Sequence, residues 1–356
     1  MLTIFFYNIL VVKGFLYNAI GSNKMSLHDN PWIALAATPD LPIARTAVNR
    51  VVKDIAEVRE IHVPYKPLSE KEVIFWAEQL EGAKGILLRS GYITAQFLKY
   101  LPDLKIVAVH GAGIDPVDLQ ACSEHKVYVT NTPGANADAV TEITIGLMLS
   151  LARKIPESAY QVKQNLAWDD ARHTGSELKG KTLGLLGLGE IGRRVAIIAK
   201  AFGMNVIGHD PGISDPEVQK RGAKPSSLHE LAQNSDFVSL HAPAIDATRH
   251  VINKDFFSEM KPTSFIINCA RGTLIDEVEL ANALTEKRLA GAALDVLEGE
   301  PPNPKSPIFN APNVILTPHM AGSTSECLNT IAETASRDII RVFNGEVPRN
   351  ALNGPF

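Results

Sequence analysis

Three charged side chains follow three short apolar runs in the second half of the chain. Arg271 follows SFIINCA, Glu300 follows GAALDVLEG and His319 follows NVILTP. Imidazole titrates near neutral pH and suits a proton carrier, and a neighbouring carboxylate orients it and favours its protonated form. A guanidinium binds a carboxylate through two parallel hydrogen bonds. Taken singly they are typical of surface or loop residues, but together they suit proton transfer on a substrate that carries a carboxylate.

The sequence GLGEIG, residues 187–192, is typical of a dinucleotide-binding turn because it follows the apolar run TLGLL and opens the helical stretch RRVAIIAKAFG. Its glycines permit a tight turn, close approach of a pyrophosphate and close packing of helix on strand, and the phosphates meet the positive end of the helix dipole. Asp210 ends the next run, where a carboxylate accepts hydrogen bonds from ribose hydroxyls and repels a 2′-phosphate. The pattern predicts NAD rather than NADP as the cofactor, bound by Gly187, Gly189, Glu190, Ile191, Gly192 and Asp210.

A hydride transfer between NAD and a 2-hydroxy acid needs a carboxylate anchor, a base near neutrality and a partner for that base. The three charged side chains supply these groups. In a doubly wound sheet, the carboxyl ends of the strands face the ligand crevice, so residues that follow successive strands lie together beside the dinucleotide.

The elements that position these groups are predicted from alternating patterns. From Trp32 onward, short β-branched runs alternate with helical stretches, which indicates an α/β fold with parallel sheets. Strands of the first third are predicted at Ile33–Ala37, Ile61–Val63, Gly85–Arg89, Lys105–Val109 and Lys126–Val129, with a helix over Ser69–Gly82. From Lys181, six further runs predict a doubly wound sheet of two mononucleotide-binding halves: TLGLLG, NVIGHD, DFVSLHAP, SFIINCA, GAALDV and NVILTP.

A chain of 356 residues is long enough for two cores. We expect a substrate-binding part over residues 31–133, an NAD-binding domain over 134–321, and a C-terminal part over 322–356 whose helix, 323–344, returns to the first domain. Residues 2–21 are apolar but interrupted by Asn8, Lys13 and Asn18, and we interpret residues 1–30 as an extension that the fold does not need; a membrane or secretion signal is the alternative.

Composition argues against several kinds of partner. A net charge of −4 disfavours nucleic acid and anionic membranes. Three distant cysteines, Cys122, Cys269 and Cys327, form no metal or disulfide pattern and favour a reducing, cytoplasmic location. The polar, irregular stretch over residues 157–180 is either an arm that packs on a partner subunit or a surface loop.

The motifs GLGEIG, HDP, NCARGTLIDE, ALDVLEGEPP and TPHMAGST occur in an order that resembles the D-isomer-specific 2-hydroxyacid dehydrogenases. The 3-phosphoglycerate dehydrogenase and hydroxypyruvate/glyoxylate reductase branch is the most similar, and the resemblance runs from about Trp32 to Val347. It implies a Rossmann NAD-binding domain inserted into a flavodoxin-like substrate domain, and a homodimer formed through the NAD-binding domain.

The resemblance also implies roles for individual residues. Arg271 orients the substrate carboxylate and carbonyl, His319 is the acid/base, and Glu300 is its partner. Asp295, in LDV, holds the nicotinamide carboxamide, and Ala270 belongs to the cofactor site.

The stretches RSGYIT and VHGAGID resemble the family's substrate loop. The backbone N–H groups of Ala112 and Gly113 would hold the substrate carboxylate as an anion nest, with Ser90 beside them. Arg89 supplies either a second cation or a structural ion pair. Phosphoglycerate dehydrogenases often carry basic residues near this loop, where Gly91-Tyr92 offers none, and many have a regulatory C-terminal domain, whereas this sequence stops at Phe356. Both departures weaken the phosphoglycerate assignment.

We therefore expect an NAD-dependent D-2-hydroxyacid dehydrogenase without a metal. Its substrate would be 3-phosphoglycerate, glycerate/hydroxypyruvate or a similar small acid. The alternative is an NAD-sensing scaffold, like the C-terminal-binding-protein corepressors, which share the fold and the Arg/Glu/His set. Domain closure would hinge near residues 131–134 and Gly322.

Overall fold

The computed structural model describes residues 31–168 and 170–356, so the extension at 1–30 lies outside the described residues. A first sheet of five parallel strands has the order β2-β1-β3-β4-β5, the flavodoxin-like order. Its elements are β1 Trp32–Ala36, α1 Arg45–Val52, β2 Glu57–Ile61, α2 Glu70–Gln79, β3 Ala83–Leu88, α3 Ala95–Leu98, β4 Ile106–Val109, α4 Leu119–Glu124 and β5 Tyr128–Thr130.

Three helices lead to the second unit: α5 Ala137–Arg153, α6 Ile155–Asn165 and α7 Asp170–His173. A seven-stranded parallel sheet follows, in the order β12-β11-β10-β9-β6-β7-β8. Its elements are β6 Thr182–Leu186, α8 Glu190–Ala201, β7 Asn205–His209, α9 Asp215–Lys220, β8 Lys224–Pro225, α10 Leu228–Asn234, β9 Phe237–Leu240, α11 Lys254–Glu259, β10 Phe265–Asn268, α12 Glu277–Thr285, β11 Gly291–Leu294, β12 Val314–Leu316 and α13 Ser325–Phe343.

This architecture confirms the predicted α/β class, with a Rossmann sheet inserted into a flavodoxin-like unit. The chain order in the second sheet reverses between β6 and β9, which pair side by side, and ligands bind at such a switch point.

Three predictions about elements were wrong. The second strand lies at Glu57–Ile61 rather than at Ile61–Val63, because this edge strand leaves most of its side chains accessible and has a polar sequence, EVREI. The second sheet has seven strands rather than six, since the two-residue strand β8 carries no apolar run. The stretch over 157–180, predicted to be irregular, is largely helical in its first part, where α6 begins with a proline in its first turn.

The last helix, α13, packs on the first sheet. Thr324 caps α13 by accepting a hydrogen bond from the N–H of Cys327. Its apolar face carries Ala332, Ala335 and Ile339, which pack in one core cluster with strands β1, β3 and β4. Among the described residues, no helix combines the length and apolar character that crossing a bilayer requires.

The packing of α13 on the first sheet is testable by a single truncation. Ile339 is fully buried, and its Cγ2 atom faces Gly85 of β3. We expect Ile339→Ala to lower the free energy of unfolding by about 2–5 kcal/mol, because it leaves a cavity between helix and sheet. Denaturant titration provides the measurement. Ile197, 62% exposed on α8, is the matched control; the same truncation there should change stability by about 0.5 kcal/mol or less. Equal effects at both positions would contradict the packing.

Candidate active site

The glycine turn after β6 has the geometry that a dinucleotide needs. Gly187 adopts φ +91°, and a side chain there would collide with the backbone of His241 and Ala242. A side chain on Gly192 would collide with the carbonyl of Gly187. At Gly189, in contrast, the space that a side chain would occupy is open. The turn is therefore closed on the protein side and open where a pyrophosphate would approach the start of α8.

Asp210 lies at the end of β7, beside this turn. Its carboxylate accepts hydrogen bonds from the N–H groups of Leu188 (2.8 Å) and Gly212 (3.0 Å). Each oxygen keeps lone-pair capacity for a ribose hydroxyl. Asp210 borders a cavity of about 350 Å³ that is also lined by Asp215 and Glu230. Acidic side chains on this cavity disfavour a 2′-phosphate.

Glu190 and Ile191 face the turn through their backbone rather than through their side chains. The Glu190 carboxylate accepts hydrogen bonds from Arg193 and Arg194, both at 2.6 Å, and these hold its pKa down at about 2. The Ile191 side chain packs against the core of the second unit. The backbone N–H groups of α8's first turn, and not these side chains, are therefore the donors that could hold the phosphates.

His319 and Glu300 form a direct pair at the carboxyl edge of the second sheet. The Nδ1 atom of His319 lies 2.6 Å from Oε2 of Glu300. The histidine side chain is 50% exposed and the glutamate 29%. With Nδ1 held by the carboxylate, Nε2 is the ring nitrogen available to exchange a proton with a ligand.

The neighbours of His319 act on its pKa in opposite directions. The hydrogen bond that His319 donates to Glu300 raises the pKa of His319 above its ordinary value, and burial lowers it. The charge of Glu300 adds to the rise, and Arg271 lowers the pKa. The net result is a raised pKa, so the imidazole keeps its proton to a higher pH than an isolated histidine.

Asp295 holds the turn on which His319 stands. This carboxylate is 1% exposed and accepts hydrogen bonds from Thr317 Oγ1 (2.6 Å) and from the N–H groups of Met320 (2.9 Å) and Ala321 (2.8 Å). Its own carbonyl accepts the N–H of His319 at 2.8 Å. His319 adopts φ +51° in this turn. In the structure Asp295 therefore holds the turn that carries His319, and its contact with a nicotinamide carboxamide stays a prediction.

Arg271 follows β10 and reaches across to the first unit. Its Nε lies 3.3 Å from Oδ2 of Asp115, and one terminal nitrogen donates to the Ala270 carbonyl at 2.7 Å. Its other terminal nitrogen lies so close to Gly113 that a side chain there would overlap it. The guanidinium thus stands against the predicted anion nest. In the loop of Ala112 and Gly113, the Ala112 carbonyl accepts a hydrogen bond from the Asn131 side chain at 2.7 Å.

Ser90 makes its hydrogen bonds inside the first unit, and Arg89 lies near His110 and Cys327. Ser90 is fully buried; its hydroxyl donates to the Val63 carbonyl (2.6 Å) and its N–H to Ala36 (3.0 Å), so it has no donor left for a substrate. Its predicted role in binding is inconsistent with these contacts. The Nη1 atom of Arg89 is buried without a hydrogen-bond partner among residues 31–168 and 170–356. Burial lowers the pKa of Arg89, and its charge affects His110 and Cys327 nearby.

Two residues of the site were missed in the sequence. Asp115 follows the predicted nest in GAGIDPVD, and its place after β4 was the available signal. His241 follows β9 at the switch point and packs on Gly187. Burial lowers its pKa to about 4, so the ring is neutral, and its Nε2 is 2.9 Å from Ser239 Oγ. The rule that ligands bind at switch points would have identified this position.

The parallel sheet, the glycine turn and the Asp210 carboxylate together define a Rossmann-type dinucleotide-binding protein. Residues 145–321 match the family model described as "D-isomer specific 2-hydroxyacid dehydrogenase, NAD binding domain". Glyoxylate reductase from Aeropyrum pernix is 36% identical over 300 residues, which cover 83% of this chain and 89% of that protein. A crystal structure of a Thermus thermophilus protein superimposes with a TM-score of 0.79 and 32% identity, covering 90% of this chain and all of that one.

The chain therefore belongs to the D-isomer-specific 2-hydroxyacid dehydrogenases, and its cofactor is NAD. D-3-phosphoglycerate dehydrogenase from Methanocaldococcus jannaschii is 39% identical over 306 residues, 85% of this chain. The matches cover 57% of that protein and 58% of the D-3-phosphoglycerate dehydrogenase from Archaeoglobus fulgidus, so the chain spans little more than half the length of these relatives.

The raised pKa of His319 can be tested by removing the charge that raises it. We expect Glu300→Gln to lower the pH at which His319 loses its proton, because the neutral amide is a weaker partner for an imidazolium. NMR titration of ¹³C-labelled histidine provides the measurement. A second pair, His229 Nδ1 and Glu259 Oε2 at 2.6 Å, is the control: Glu259→Gln should leave the titration of His319 unchanged. An unchanged His319 midpoint in Glu300→Gln would show that Glu300 does not raise this pKa.

Proposed function

We propose that the protein is an NAD-dependent D-2-hydroxyacid dehydrogenase that interconverts a small 2-oxo acid and its D-2-hydroxy acid. One observation carries the proposal. The His319–Glu300 pair and the Arg271 guanidinium stand at the carboxyl edge of the NAD-binding sheet, and Arg271 contacts the loop of Gly113 and Asp115 in the first unit. A proton carrier and a carboxylate anchor thus face one cleft beside the dinucleotide turn.

The substrate carboxylate would bind between Arg271 and the N–H groups of Ala112 and Gly113. A guanidinium and two backbone donors match the two oxygens of a carboxylate. Asp115 already contacts Arg271 Nε and the Ala270 carbonyl accepts from Nη1, which leaves Nη2, the nitrogen beside Gly113, as the one that meets the substrate. Asp115 then acts as a positioning residue that orients the Arg271 guanidinium toward the anion nest.

Reduction requires a proton for the carbonyl oxygen of the substrate. When bound, NADH supplies the hydride to the carbonyl carbon. His319 donates the proton from Nε2 to the oxygen, and Glu300 stabilises the imidazolium before that transfer. In the oxidation direction the neutral imidazole removes the hydroxyl proton. Because the pKa is raised, the proton donor persists to higher pH, and reduction loses its donor as pH rises through that pKa.

Closure of the two units over this cleft would exclude water from the reacting atoms. We propose the domain limits 31–133, 134–321 and 322–356, with hinges near residues 131–134 and Gly322. Two separate core clusters under the first sheet and two under the second support this division. Thr132 donates its N–H to Gly111, so one hinge is joined to the anion-nest loop.

We also propose that the chain forms a homodimer through the segment that leads into the NAD-binding sheet. Helix α6 buries none of its residues within the described chain. Tyr160, Leu166 and Trp168 are 61%, 85% and 88% exposed. A cavity of about 580 Å³ opens beside Ile155 on the same helix. Large apolar side chains that share one exposed segment are typical of a subunit interface.

Dimerisation is expected to fail when this apolar segment receives a charge. Trp168→Glu should shift the sedimentation coefficient from that of a dimer to that of a monomer, because a carboxylate would be buried without a partner in the interface. Analytical ultracentrifugation measures the change. Phe75 on α2, 52% exposed, is the control: Phe75→Glu should leave the dimer intact. A monomeric unaltered protein, or an unaffected Trp168→Glu, would refute the proposal.

The three cysteines support a reducing location. Cys122, Cys269 and Cys327 are buried and free, and burial is the first cause of a raised thiol pKa in each, to about 12 in Cys122 and Cys269. Protonated, buried thiols suit the cytoplasm, which we propose as the location.

Catalysis is tested by incubating the protein with NADH and a panel of 2-oxo acids. We expect at least one to be reduced, and we expect His319→Ala to lower kcat by about 10²–10⁴-fold while the Kd for NADH changes by less than about threefold, because the imidazole acts on the substrate. His229→Ala, which removes the similar pair with Glu259, is the matched control and should keep full activity. NADH binding without reduction of any 2-oxo acid would favour the NAD-sensing scaffold instead.

A further inference from the structure

Two tyrosines stack beside the cleft, and the proposed reaction uses neither. Tyr65 lies in the loop after β2 and Tyr92 in the loop after β3, and their ring centroids are 5.4 Å apart at an interplanar angle of 26°. Both side chains are half-buried. The loops leave the carboxyl edge of the first sheet, the edge from which Gly113 and Asp115 also project.

Backbone contacts fix Tyr92 in place. Gly91 adopts φ +99°, and a side chain there would collide with Val63. The N–H of Ile93 donates to the Pro116 carbonyl at 2.9 Å, and the N–H of Asp118 donates to Ile93 at 2.8 Å. The tyrosine loop is thus bonded to the loop that carries Asp115, the residue that contacts Arg271.

The charged groups that raise the pKa of Tyr65 are carboxylates. Burial first, then Tyr92, Glu300 and Asp115, raise the pKa of Tyr65 to about 12. Tyr65 therefore lies near Glu300, which pairs with His319, and near Asp115, which contacts Arg271. The phenol of Tyr65 stays neutral. The next residue, Lys66, is bound to Glu72 at 2.7 Å, and Arg89 lies toward His110 and Cys327.

From this arrangement we infer that the Tyr65–Tyr92 pair is the specificity-determining wall of the substrate site, and that it selects 2-oxo acids with an uncharged substituent over phosphorylated ones. The inference deepens the proposed function and rests on it. Aromatic faces bury uncharged groups, and the phenol hydroxyls donate neutral hydrogen bonds. A phosphate at this wall would carry nearly two negative charges toward Glu300 and Asp115, and binding of phosphate normally relies on arginine or lysine.

The test compares hydroxypyruvate with 3-phosphohydroxypyruvate, which differ only in the phosphoryl group, as substrates of the full chain with NADH. We expect kcat/KM for hydroxypyruvate to exceed that for the phosphate by about tenfold or more. Tyr92→Lys should shift the ratio toward the phosphate by a similar factor, because it places an ammonium at the wall. Tyr65→Lys places an ammonium at the other ring of the pair. It replaces Tyr92→Lys in the comparison if thermal melting shows that Tyr92→Lys does not fold.

Tyr100→Lys is the matched control, since Tyr100 is 43% exposed and precedes β4, at the opposite edge of the sheet. It should leave the ratio unchanged. The specificity role of the tyrosine pair would be refuted if the unaltered protein preferred the phosphorylated substrate. It would also be refuted if Tyr92→Lys and Tyr65→Lys both folded and kept the original ratio. Either result would leave the dehydrogenase proposal intact. If the protein binds NADH but reduces no 2-oxo acid of either kind, the proposed dehydrogenase function is refuted, and the specificity role of the tyrosine pair is refuted with it.

Discussion

The candidate site depends on one buried carboxylate, that of Asp295. It follows strand β11 and accepts three hydrogen bonds from the turn after β12, while its carbonyl accepts a fourth from His319. A buried charge is stable only when such donors surround it. The same donors keep His319 at φ +51°, from which its ring reaches Glu300. Without this carboxylate, the turn after β12 would lose the contacts that orient the proposed proton carrier.

The second requirement is that two sheet edges meet. Parallel sheets direct the loops after their strands to one edge, and here the carboxyl edges of both sheets face one another. Arg271 comes from one edge and Asp115 from the other, and Gly113 has no side chain to separate them. The resulting cleft has the Arg271 guanidinium and the His319 imidazole on the cofactor side. On the other side it has the loop of Gly113 and the stacked rings of Tyr65 and Tyr92.

Much of this arrangement could be predicted from local patterns. The glycine turn, Asp210, Arg271, Glu300 and His319 each lie in the segment that follows a strand-like run, so strand periodicity alone orders them at one edge. Contacts between distant residues could not be predicted in this way. The stack of Tyr65 on Tyr92 joins loops from two strands whose register follows from the folded sheet, and the burial of Ser90 depends on its bond to Val63. Strand β2 was misplaced because an edge strand needs few apolar residues.

In the proposed reaction, the carboxylate of a 2-oxo acid binds Arg271 and the nest while its carbonyl oxygen meets His319. A crystal structure of the protein with NADH and oxamate, a non-reacting analogue of a 2-oxo acid, tests this most directly. We predict that oxamate's carboxylate lies within hydrogen-bond distance of Arg271 and of the N–H groups of Ala112 and Gly113, and that its amide oxygen lies within hydrogen-bond distance of His319 Nε2. Oxamate bound with its carboxylate away from Arg271, or with no contact to His319, would contradict this binding mode.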